Sequence, residues 1–200
     1  IFSFGNPNVA SVISTMSMIV VFTIPFITMR IMSEDRRQKV DQALLTAPVK
    51  VSGVVVGKFL AAFAVYALGF VPTLIFEIIV ASYVTVNIMT YLYALFGMIL
   101  LGGALISIGM FISSLTESPI ISIIFTLITN LFIMSAGSFA SLITVPSKTD
   151  TVFQAVVAFL LKVLSKFLNG MNFTQVLDSF NNQAFAIKDV IYFISITIAF

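Results

Sequence analysis

Cysteine and histidine are both absent from this 200-residue chain, and charged residues make up only 9% of it. Without cysteine there is no disulfide, no thiolate nucleophile and no thiolate zinc site. Without histidine there is no Ser-His-Asp chemistry. Neither absence assigns a redox compartment. The scarcity of charge is more telling, because an average soluble domain carries roughly a quarter charged residues. Here 60% of the residues are hydrophobic, 21 of them phenylalanine, and the mean hydropathy is +1.14. A soluble core of this length cannot hide that much apolar surface, so the solvent must be lipid.

A helix crosses a bilayer with about 20 mostly apolar residues. Such runs predict spans at about 11–29, 54–80, 89–112 and 118–144, with a last one from about 190 that is cut at Phe200. Ser118 is a fit N-cap and Pro119 suits the first helical position, where no N–H is needed. Pro72 is expected to kink the second span by removing one backbone bond. The chain starts at Ile1 rather than at Met and ends in an apolar run. It therefore reads as a fragment lacking an upstream span and the end of a downstream one. The fold class expected is all-α, a polytopic transmembrane helical bundle.

Basic residues set the orientation. Six of the ten, Arg30, Arg36, Arg37, Lys39, Lys50 and Lys58, lie between positions 30 and 58, and the positive-inside rule puts that segment in the cytoplasm. Counting spans from there makes 81–88 outer, 113–118 inner and 145–188 extracellular. The outer region carries Lys148, Lys162, Lys166 and Lys188, which weakens the charge asymmetry. Within it, 151–168 has one polar face and suits a helix on or dipping into the membrane surface; a full extra crossing is the alternative.

Gly57-Lys58 is the dipeptide at the centre of a phosphate-binding loop. That loop needs Ser or Thr after the lysine and a further glycine five residues before the glycine of the pair. Phe59 and Ser52 stand there instead. Lys58 reads as a lysine one turn inside a span that stretches back to the headgroups.

The polar segment that precedes it carries more. Ser33 can cap a helix, and Glu34 and Asp35 complement the positive end of its dipole. Asp35 and Lys39 are four apart in the favourable order. Pro48 stops the helix, and Val40, Ala43, Leu44 and Ala47 make one narrow apolar face. The expectation is an amphipathic helix over 33–47 on the inner membrane surface. It either offers a polar face to a soluble partner or serves as an interfacial elbow.

Four words in this region carry a resemblance: Pro25-Phe-Ile-Thr-Met-Arg30, Ser33-Glu-Asp-Arg-Arg37, Leu44-Leu-Thr-Ala-Pro-Val49 and Gly57-Lys-Phe-Leu-Ala-Ala62. Ser114-Leu-Thr-Glu-Ser118 and Lys188-Asp-Val-Ile-Tyr-Phe193 extend it. With these the chain resembles the membrane subunits of type-2 ABC exporters, closest to the gliding-motility and nitrous-oxide-reductase-maturation permeases. The resemblance implies a six-span permease in the bacterial cytoplasmic membrane, with no catalysis and no cofactor of its own. ATP and Mg would sit on a partner ATPase subunit. The implied partners are that ATPase, a second permease subunit and the lipid bilayer, with no nucleic acid. It also implies that 33–47 is the coupling helix, with Glu34, Asp35, Arg36, Arg37, Lys39, Asp41 and Leu44 as its coupling residues. The family usually has Gly-Thr after the basic residues, and Lys39-Val40 stands there. A glycine loosens a helix, so its absence predicts a more regular one.

Three features inside the spans are open to more than one reading. Glu77 lies 19 residues after Lys58, about 28 Å along a helix, so it marks the outer interface if Lys58 marks the inner one; a substrate or proton role is the alternative. Gly103 and Ser107 have small-xxx-small spacing for helix packing, within the chain or across a dimer. Asn130 lines a path or bonds a neighbouring helix. The rival functions are a secondary transporter, which calls for broken helices and mid-membrane polar groups, and a membrane-embedded enzyme, for which no paired carboxylates or Ser-Lys pair is visible.

Overall fold

A computed structural model describes residues 9–39, 50–83, 88–142, 161, 165, 173 and 187–200. The described residues form helices and no strands. They are α1 (Val9–Thr28), α2 (Ser33–Arg37), α3 (Val51–Leu68), α4 (Val71–Ala81), α5 (Ile88–Leu115), α6 (Pro119–Leu142) and α7 (Ile187–Ala199). Among the described residues, four stretches are long and apolar enough to cross a membrane: Met16–Arg37, Val51–Ile79, Tyr91–Leu115 and Pro119–Leu142. The molecule is a helical membrane bundle.

α5 is its hub. It packs against α1, α3, α6 and α7, and 67% of its apolar window is buried, against 17% for the α3–α4 stretch. Ile24 of α1 and Leu101, Ala104, Leu105 and Ile106 of α5 are fully buried. Helices in lipid gain little from hiding apolar surface, because the surrounding tails are as apolar as leucine; they gain from close approach. Glycines on α5 permit that approach. A Cβ on Gly102 would enter the ring of Tyr66, and one on Gly109 would lie 2.5 Å from Thr28 Oγ1 and 3.0 Å from Thr28 Cβ. Because Gly102 is bare, Tyr66 reaches across α5 and donates its hydroxyl to Met98 O at 2.8 Å.

The stretch expected as one kinked span over 54–80 is two helices. Pro72 has no N–H to give to Leu68 O, four residues before it. The chain tightens just upstream, with Gly69 N on Tyr66 O at 3.0 Å and Phe70 N on Ala67 O at 3.1 Å, and α4 restarts as Leu74 N bonds Phe70 O at 3.1 Å. α4 keeps a largely exposed apolar surface, including Ile75, Phe76, Ile78 and Ile79.

α7 runs alongside α5, and Phe200 stacks edge-on against Phe111 with ring centres 5.5 Å apart. Phe173, which lies in the expected extracellular region 145–188, is buried against Tyr192 and Phe193. The helix expected over 151–168 lies outside the described residues, apart from 161 and 165.

Candidate coupling site at the basic end

The basic end of the bundle is built around the exit of α1. Thr28, the last residue of α1, is buried under Gly109, and its hydroxyl donates to Ile24 O at 3.1 Å. The chain then turns through Met29–Met32 into α2. The first N–H groups of a helix lack intrahelical acceptors. Here Ser113 of α5 supplies one: its Oγ accepts from Ser33 N at 3.0 Å and Met32 N at 3.3 Å, and donates to Met29 O at 3.2 Å. Ser33 is therefore not the N-cap that local sequence suggests. Met32 holds that position without a side-chain bond, while the buried Ser33 hydroxyl donates back to Met29 O.

A second tether comes from α3. Lys58 donates to Ile31 O at 2.7 Å and forms an ion pair with Asp35. Asp35 thus takes a partner 23 residues away in place of Lys39, and Lys58 folds onto the α1–α2 connection instead of merely reaching for headgroups. A third tether is Arg36, whose Nη1 donates to Ser114 O at 2.6 Å. That carbonyl lies in the last turn of α5, the negative end of its dipole, where a cation is favourable. Glu34 Oε1 accepts from Gln38 Nε2 at 2.7 Å. The side chains of Arg37 and Lys39 are exposed.

The expected continuous helix over 33–47 requires correction. α2 ends at Arg37, and Lys39 adopts φ 57°. That is the left-handed region, which a residue with a Cβ enters at a cost of roughly 1–2 kcal/mol. The backbone keeps a glycine-type turn although a lysine occupies it, so the missing glycine does not make this helix more regular. Asp41 and Leu44, with the rest of 40–49, lie outside the described residues.

Gly103 packs inside the chain, its Cβ position lying 3.3 Å from the Phe63 ring of α3 and 3.9 Å from Thr197 of α7. Ser107 is buried and donates to Ala104 O of its own helix at 2.8 Å. The tighter contacts fall at Gly102 and Gly109, which the four-residue spacing passes over. They stand seven apart, two helical turns, and that period was the available signal. Glu77 buries a carboxylate oxygen without a hydrogen bond at the opposite end. Ser122, Thr126 and Asn130 make a fully buried line along α6, and neither amide atom of Asn130 has a partner. Beside the elbow, α1 and α3 leave an open groove of about 490 Å³ lined by Ile27, Ile31, Lys58, Ala61, Ala62 and Val65.

This is a multi-span helical membrane protein whose basic end is tied to two spans. The family model for "ABC-2 family transporter protein" matches residues 5–200. The chain belongs to the ABC-2 family of transporter proteins. No curated protein and no solved structure matches it.

Proposed function

We propose that the chain is the permease subunit of an ATP-driven exporter in the bacterial cytoplasmic membrane. It forms the translocation path together with a second permease subunit. ATP and Mg are held by a separate ATPase subunit, which seats on the segment after α1. The words quoted above favour kinship with the gliding-motility and nitrous-oxide-reductase-maturation permeases. One observation carries the coupling assignment: the short α2 is fastened to α3 through Lys58 and to α5 through Ser113 and Ser114, while the side chains of Arg37 and Lys39 are exposed. A force applied to that exposed edge reaches two spans at once. Family membership favours this reading over a gradient-driven carrier, and the buried polar line of α6 alone does not outweigh it.

The test is charge reversal on the exposed edge. Arg37→Glu with Lys39→Glu is expected to reduce ATPase co-purification at least tenfold, while the permease still inserts. Unchanged co-purification removes the coupling assignment. The chain has no cysteine, so Gln38→Cys reports sidedness directly. Labelling of intact cells by a membrane-impermeant thiol reagent at that position removes the cytoplasmic placement.

A further inference from the structure

The three tethers of α2 are not alike. Those to α5 are hydrogen bonds to Ser113 Oγ and Ser114 O, and they fix the elbow at the end of the hub helix. The link to α3 rests on one side chain, Lys58, bound to Asp35 and Ile31 O. α1 and α3 diverge below it, leaving the apolar groove whose basic corner is Lys58. Among the described residues, no other hydrogen bond or ion pair joins α2 to α3. The α3–α4 stretch is also the least buried of the four spans, so little else obliges its inner end to follow the elbow.

We propose that the Lys58–Asp35 ion pair is the positioning element that makes α3 move with the elbow. This rests on the permease reading above and names two residues through which its coupling acts. Lysine has three donors and aspartate is acceptor-only when ionised, so exchanging the two residues restores the pair but not the bond to Ile31 O. Asp35→Asn keeps the size and removes the charge; Lys58→Met keeps the length and removes the charge and the donors. Movement of the elbow then reaches α5 through Ser113 and Ser114 and the inner end of α3 directly through the pair; without the pair it reaches α3 only by way of the hub, at Tyr66.

The experiment places spin labels on two engineered cysteines, Gln38→Cys beside α2 and Ser52→Cys on α3, in the full chain reconstituted in lipid nanodiscs. The unsubstituted pair should give a narrow distance distribution. Asp35→Asn and Lys58→Met should each broaden it at least twofold, and the exchange Asp35→Lys with Lys58→Asp should narrow it again in part, since the pair returns without the bond to Ile31 O. In complex with the ATPase, the two single variants should lower permease-dependent ATP hydrolysis several-fold, and the exchange should recover part of it. Distributions as narrow in the single variants as in the parent overturn the proposal. So does broadening that the exchange fails to reduce, since that is loss of packing rather than of the pair. Failure of the parent chain to bind an ATPase removes the permease reading instead, and the distances measured on the permease alone still decide the ion pair.

Discussion

α3 and α5 both carry glycines inside apolar helices, and those glycines do opposite work. Around Gly53 and Gly57 of α3 there is nothing within 4 Å of a would-be Cβ. Around Gly102 and Gly109 of α5 the space is already taken by Tyr66 and Thr28. The first pair costs helix stability and returns no contact. The second sets how near α3 and α1 come to the hub. Residue type is the same; the difference lies in which face of the bundle each helix turns to its neighbours.

That contrast can be broken most forcefully at Gly102. Gly102→Ala must displace a buried ring and its bond to Met98 O, an overpacking of about 1–3 kcal/mol. We expect a lower melting temperature by circular dichroism in detergent, with Gly109→Ala close behind. Tyr66→Phe combined with Gly102→Ala should not rescue it, because the ring remains in the way. Next comes Ser113→Ala, which leaves the N–H groups of Met32 and Ser33 without their acceptor; an unmet buried donor costs about 1–3 kcal/mol. Faster amide exchange confined to residues 31–36 is the expected signature. Lys39→Gly should act in the other direction, stabilising by about 1 kcal/mol through relief of the left-handed backbone. It should do so without changing the pair between Asp35 and Lys58. The smallest effect belongs to Gly57→Ala, a gain of roughly 0.5–1 kcal/mol from helix propensity alone. A loss at Gly57 as large as at Gly102 would erase the comparison.

Much of the bundle was legible because lipid imposes long apolar runs on any crossing segment. Residues 119 onward form α6 as the proline there leads one to expect, and Pro72 marks a real break. What escaped was whatever depends on partners far off in sequence. Asp35 has an eligible lysine four residues away and takes Lys58. The cap of α2 comes from Ser113 on another helix, and no local rule points to it. Lys39 occupies a conformation that its own side chain disfavours, so composition suggested a longer helix than the one observed. On α5, adjacent glycines at 102 and 103 look equivalent, and only the packing of α3 shows that Gly102 takes the tyrosine.

The gap between α3 and α4 sits just above Tyr66, the side chain that pins α3 to the hub. Beneath that point the span is held to the hub; above it, a segment with Pro72 in its first turn carries mostly exposed apolar side chains. An articulated strut of this kind bends where a straight one slides. The missing N–H of Pro72 leaves the backbone least bonded at that point, so a load on this span would bend it there.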